Sequence, residues 1–235
     1  MTKTIVNGRR TKAKATKLQE VGLEIGKAYP LAEAIELTKK LSPSKFDASV
    51  EVHFKLGIDP RKGDQQIRAA ISLPHGTGKT VRVAAFVMPE NEAACRTAGA
   101  DLVGGEELIE TIAKSEKTDF EVAVAEPMIM RQLSKIAKIL GTRGLMPSPK
   151  TETVTTNPSL AVGELKKGKI SFKNDDTANL HILLGKVSFD SAKLAENFAA
   201  VLDTVRKAKP ASSKGAYIKN CVITSAMGPG IKIQL

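Results

Sequence analysis

The sequence predicts a split α+β domain, an antiparallel sheet with helices, interrupted by an inserted α/β domain of Rossmann-like three-layer type. Three observations predict it. From Phe46 to Ile58 apolar and polar residues alternate without a break, as in a strand with one buried and one wet face. From Val81 to Leu140 largely apolar strands alternate with helical segments, which indicates parallel βαβ units covered on both faces. From Gly168 the alternating style returns. The economical reading assigns residues 1–75 and 168–235 to one discontinuous domain and residues 76–167 to the insertion. Chain ends that lie close together make such insertions tolerable.

The elements follow in order. Leu31, Ala34, Ile35, Thr38 and Leu41 recur at helical spacing behind Pro30, and Ser42-Pro43 stops that helix. Phe46, Ala48, Val50, Val52, Phe54, Leu56 and Ile58 form one face of the first clear strand. Ile67, Ala69, Ile71 and Leu73 form a second. The insertion reads as a buried strand (81–87), a helix (89–98), a short strand (101–103) and a helix (106–114). A strand (120–125), one long helix (127–140) and a final helix capped by Asn157-Pro158 complete it. Afterwards Ile170 and Phe172, and then Leu180, Ile182 and Leu184, read as strands around the turn Asn174-Asp175-Asp176. A helix follows, capped by Asp190 or Ser191, with Leu194, Phe198, Val201, Leu202 and Val205 on one face. Residues 217–224 and 231–235 supply the last strands.

Charge narrows the function. The net charge is +11, which favours a polyanionic partner, either nucleic acid or an anionic membrane face. No apolar run is long enough to span a bilayer. The basic N-terminus lacks the apolar core of a secretory signal. Arg9, Arg10, Lys12, Lys14 and Lys17 among threonines leave a transit peptide open, against which Glu20 and Glu24 count. Residues 1–75 hold 14 basic and 8 acidic side chains, residues 76–167 hold 12 of each, and residues 168–235 hold 10 and 5. The whole excess therefore falls on the two terminal segments. Aromatic residues are only 4%, which suits recognition of the shape, backbone and 2′-hydroxyls of folded RNA better than base stacking. DNA fits the charge equally, but no helix-turn-helix or zinc-finger pattern supports it.

Enzyme chemistry finds little footing. His75-Gly76-Thr77-Gly78-Lys79-Thr80 resembles a phosphate-binding loop, but Leu73 stands where that loop needs glycine and a strand follows instead of a helix. The segment reads better as a hinge, with Pro74, His75, Gly76 and Gly168 at the two chain crossings. His53 reads as a sheet-face histidine. Cys95 and Cys221 are too far apart in sequence to suggest a disulfide framework, and Cys95 reads as core-facing. No metal-ligand spacing occurs. No cofactor and no small-molecule substrate are expected. A nucleotide-dependent enzyme on the insertion and an adaptor for anionic membranes stand as alternatives.

Several longer segments go further. They are Lys45-Phe46 through Gly57-Ile58-Asp59-Pro60-Arg61, Leu73 to Gly78, Gly99-Ala100-Asp101 with Gly104-Gly105-Glu106, the loop Gly141 to Lys150, Phe172 to Thr177 with His181, Gly185 and Lys186, and Ser225 to Pro229. In this order they resemble the bacterial large-subunit ribosomal protein L-one family, from about residue 29 to the end. The resemblance implies a two-domain protein with a split first domain. It implies binding to a folded helix of large-subunit ribosomal RNA at a mobile stalk near the tRNA exit site. It also implies a part in releasing deacylated tRNA, repression of translation by binding the messenger of its own operon, and a cytoplasmic, ribosome-associated location. The family's RNA contacts would fall on Lys45, Phe46, Asn174, Asp175, Thr177, Met227, Gly228 and Pro229. Phe46 also fits the core-facing parity of its strand, so both roles stay open. Three positions depart from the family pattern: Ala226 for threonine, Asp176 for lysine and Thr142 for proline. The Gly141–Lys150 loop reads equally as a functional surface or as loop architecture.

Overall fold

The computed structural model describes Glu24 and residues 26–235; the expectations about a leader peptide lie outside the described residues. In chain order the elements are β1 (Ala28–Tyr29), α1 (Leu31–Lys40), β2 (Ser49–Leu56), β3 (Arg68–Ser72), β4 (Val83–Phe86), α2 (Pro89–Thr97), β5 (Leu102–Gly104), α3 (Glu106–Ser115), β6 (Val122–Ala125), α4 (Met130–Leu133), α5 (Ala137–Thr142), α6 (Pro158–Lys166), β7 (Lys169–Lys173), β8 (Asn179–Lys186), α7 (Ser191–Lys207), β9 (Ile218–Ser225) and β10 (Ile231–Ile233). The fold is mixed α/β. Its contacts separate into two compact units, residues 1–66 with 174–235, and residues 67–173.

The first unit is built on a five-stranded sheet in the order β1-β10-β9-β2-β8. β2 sits inside it and runs antiparallel to both β8 and β9. The alternation of β2 sends Val50, Val52, Phe54 and Leu56 into the core. Helices α1 and α7 cover that face. The α7 stripe of Leu194, Phe198, Val201 and Val205 is buried, and Phe198 stacks on Phe54 with ring centroids 6.3 Å apart. Asn197 is buried within this stripe, and its amide donates to the Leu184 carbonyl at 2.7 Å. That bond offsets the cost of burying a polar group. The opposite face of the sheet is wet. β1 has no counterpart in the sequence reading, because two residues carry no measurable period.

The second unit centres on a parallel sheet, β5-β4-β6. All four β4 residues are buried, as expected of a strand covered on both sides. Ala84 and Phe86 face Ile109 and Ile112 of α3 and the apolar side of the 130–142 segment. Val83 and Ala85 face Cys95 of α2 and Ala161, Val162 and Leu165 of α6. The long helix expected over 127–140 is instead α4 and α5 joined by a 3₁₀ turn at Ser134–Ile136. The Ser134 hydroxyl donates to the Arg131 carbonyl at 2.6 Å, a local bond that competes with regular helix. Asn157 and Asp190 occupy N-cap positions without side-chain capping bonds.

β3 and β7 form an antiparallel ribbon of their own, from Arg68 opposite Lys173 to Ser72 opposite Lys169. The ribbon belongs to the second unit, so the chain passes between units after Gln66 and after Lys173. This redistributes charge. The first unit holds 21 basic and 13 acidic residues, the second 15 and 12. Within the first unit, residues 1–23 contribute 6 basic residues and 1 acidic one. The described parts of both units therefore carry an equal excess. The segregation read from sequence segments resides mainly in the N-terminal segment, and the location of the remaining cations decides their role.

Candidate nucleic-acid interface

The residues expected to contact RNA fall at the two ends of β2. At one end lie Lys45, Phe46, Met227, Gly228 and Pro229. The β9–β10 turn is tied to the start of β2 by the Ala226 amide, which donates to the Ser49 carbonyl at 2.9 Å. The Lys45-Phe46 segment is held by its neighbour Asp47, whose carboxylate accepts from the Ser188 amide and hydroxyl. Lys186 Nζ reaches the Asp47 carbonyl at 3.3 Å. Phe46 and Met227 are 63% and 64% exposed. Phe46 is therefore not the first core residue of the strand; the buried series begins at Ala48. Two exposed apolar side chains beside Lys45 suit the sugar faces and phosphates of a nucleic acid. Gly228 closes the turn through its amide to the Ser225 carbonyl at 2.8 Å. A Cβ there would sit 2.2 Å from the Ser225 hydroxyl oxygen.

At the other end lies the turn from Asn174 to Asn179. The Asp175 carboxylate organises it by accepting from the amides of Thr177 (2.9 Å) and Asn179 (2.6 Å), the Thr177 hydroxyl (2.8 Å) and the Asn179 side-chain amide (3.0 Å). Burial pushes this carboxyl up, but the four bonds outweigh it and hold it well below the ordinary carboxylate range. Ala178 takes a left-handed φ of 62° to complete the turn. Lys55 of β2 donates to the Thr177 carbonyl, and the Leu56 amide donates to the Ala178 carbonyl. The turn is therefore fastened to the far end of β2.

Asp175→Asn is expected to loosen this turn and weaken RNA binding on the order of tenfold, the scale of one charge-assisted hydrogen bond lost. A depressed folded-state value means the carboxylate stabilises the fold at pH above its unfolded value, about 3.9. That contribution is lost as pH falls through the depressed value. Urea unfolding at neutral pH should show the wild type more stable than the variant, and the gap should close in acid.

Between these ends runs the wet face of the sheet. Ser49 and Lys55 are about 20 Å apart at strand rise. The side chains between them on that face are Glu51 and His53, beside His181 of β8 and Asn220, Val222 and Thr224 of β9. Sequence parity marks this face, but only the pairing brings His181 onto it. Burial and the neighbouring His181 push the His53 imidazole down, against a smaller upward pull from Glu51.

The remaining candidates lie elsewhere. Pro74, His75, Gly76 and Gly168 sit inside the second unit. There Gly76 and Gly168, at φ 63° and 103°, approach so closely that a Cβ on Gly168 would meet Gly76 Cα at 2.6 Å. Lys79 is paired with Glu121 at 2.8 Å, which further removes the phosphate-loop reading. In the Gly141–Lys150 loop, Arg143 bonds the Thr118 hydroxyl and the Glu116 carbonyl. Ser148 ties the loop to Thr151 and Thr153. These bonds fix the shape of the loop. Cys95 and Cys221 are buried, and burial pushes the Cys221 thiol up to about 12, leaving it without nucleophilic character.

The wet strand face carries two exposed apolar side chains, Phe46 and Met227, at one end and the polar Asp175 turn at the other. Among the described residues no three His, Cys, Asp or Glu side chains are grouped as metal ligands, and no helix is long and apolar enough to cross a membrane. The Ribosomal protein L1p/L10e family matches residues 38–229, and the chain belongs to that family. Among its relatives, a large ribosomal subunit protein uL1 from Kosmotoga olearia is 52% identical over 208 residues, 88% of this chain and 90% of that protein. The protein of that name from Paenarthrobacter aurescens is 50% identical over 223 residues, 95% and 94% of the two chains.

Proposed function

We propose that the chain is a structural protein of the large ribosomal subunit that holds a folded helix of its ribosomal RNA along the wet face of the first unit. The observation that carries this reading is the placement of the family-type contact residues. Lys45, Phe46 and Met227 to Pro229 close one end of β2, and Asn174, Asp175 and Thr177 close the other. One face about 20 Å long therefore connects them, a length suited to a folded RNA element. At the mobile stalk of a cytoplasmic ribosome, the same protein would assist release of deacylated tRNA from the exit site. A similar fold in the messenger of its own operon would occupy the same face, so repression and ribosome assembly would compete for it. The split domain is proposed as the RNA-holding half.

A shortened chain joining Gln66 to Asn174 through a glycine linker is expected to protect the same ribosomal RNA nucleotides as the full chain. Its affinity should stay within about threefold, since phosphate and sugar contacts set most of the binding. If residues 67–173 alone proved to be the tight binder, the interface would have to be moved to the second unit.

A further inference from the structure

His53 and His181 are cross-strand partners at the middle of the wet face. Their Nδ1 atoms are 2.8 Å apart. Two ring nitrogens at that distance need one proton between them. With none, two lone pairs oppose each other; with two, two N–H groups do.

The outer nitrogens also have neighbours. His53 Nε2 lies 3.9 Å from a Glu51 carboxylate oxygen, and His181 Nε2 lies 3.6 Å from an Asp175 carboxylate oxygen. A carboxylate beside Nε2 favours a proton on it. One ring must then accept at Nδ1 and the other donate. The pair meets every contact with three N–H protons, which makes one neutral imidazole and one imidazolium. A neutral pair leaves one carboxylate facing a bare nitrogen. A doubly charged pair sets two N–H groups head to head.

The rings are not equivalent. The His53 side chain is 29% exposed and the His181 side chain 54%. The more buried ring, His53, is the natural neutral acceptor. The charged groups around the pair are Glu51 and Lys55 from β2, Asp175 and Asp176 from the turn before β8, Lys186 at the end of β8, and Lys232 of β10 opposite Val222. The β9 residues on this face, Asn220, Val222 and Thr224, are uncharged.

We propose that the His53–His181 pair is a further RNA-binding element, supplying one proton-dependent positive charge midway between the two ends of the site. This rests on the reading of the wet face as the RNA interface. Phosphates brought onto the face stabilise the imidazolium, so the complex holds more of the proton than the free protein. Association then takes up as much as one proton, and affinity falls as pH rises through the titration of the pair. The pairing sets the ceiling: the two rings contribute one charge, not two.

The test measures the dissociation constant of the full chain for the stalk helix of large-subunit ribosomal RNA, at fixed ionic strength, from about pH 6 to about pH 8.5. The expected result is a loss of about five- to tenfold across that range, below the limit of tenfold per pH unit for one proton. His181→Gln should flatten the profile, and His53→Gln, which removes the acceptor of the shared proton, should move the loss of affinity to lower pH and so lessen the slope above neutrality. Nitrogen-detected NMR of the free chain should show the two rings titrating as a coupled pair that gains its second charge only in strong acid. RNA binding with a flat profile, variants that keep the wild-type slope, or two independently titrating rings would each overturn the proposal while leaving the interface standing. No RNA binding at any pH, with the rings still coupled, would overturn the interface and this element with it.

Discussion

Raising the salt from about 50 mM to about 200 mM is expected to weaken the complex with folded ribosomal RNA by about 10²- to 10³-fold, the range for about five phosphates neutralised. Lys45, Lys55, Lys186 and Lys232 border the wet face, and none of them is ion-paired with a carboxylate among the described residues. Lys55 and Lys186 bond only neutral oxygens. Their charge is therefore available to phosphate. Filter binding across a salt series would give the slope of log Kd. A slope near zero, with tight binding retained, would rule out a phosphate-dominated interface. Charge reversal at Lys45 should both weaken binding and reduce that slope by about one, the signature of a phosphate contact.

Gly168→Val is expected to destabilise the second unit by about 3 kcal/mol, the sum of a left-handed conformation forced on a branched residue and overpacking against neighbours. Gly168 has a φ of 103°, and its missing Cβ would lie 2.6 Å from Gly76 Cα and 3.2 Å from the Thr77 nitrogen. Both are backbone atoms, so no side chain can swing aside to make room. On a unit of this size the midpoint of thermal unfolding should drop on the order of 15 °C. Gly163→Ala is the matched control. Gly163 lies inside α6, and a Cβ there meets nothing within 4 Å. It should stabilise the helix by roughly 0.5 to 1 kcal/mol. If RNA is held by the first unit, Gly168→Val should leave affinity below the melting range within about twofold. A parallel loss of RNA binding would mean that the second unit carries part of the interface.

Several features were legible before the structure because their signals are local. The alternation of β2 marked its buried face from Ala48 to Leu56, and burial follows that parity. The near-continuous apolar run around β4 marked a strand covered twice. The Asp175 turn was readable as a turn from its composition. Local signals also misled in places. Parity placed Phe46 in the core series, yet the strand begins only at Ser49 and Phe46 stands in solvent. Helical periodicity over 127–140 was real but gave no warning of the 3₁₀ turn, where the Ser134 hydroxyl bonds the Arg131 carbonyl. Counting charge along the chain assigned Arg68, Lys169 and Lys173 to the first domain, because sequence position does not reveal that β3 and β7 pair as a ribbon of the second unit.

By itself the sequence determined which residues would be apolar-in and polar-out, that the protein is basic, and, through its motifs, which family it belongs to. Periodicity and composition are carried by neighbouring residues, so they survive without coordinates. Only the tertiary structure decided that motif segments far apart in the sequence close the two ends of one strand, and that His53 meets His181 between them. Strand pairing over such separations is set by packing of the buried face and by register. A shift of one residue would send each of these side chains to the other side of the sheet. The wet face thus takes its composition only once β2, β8 and β9 are in register.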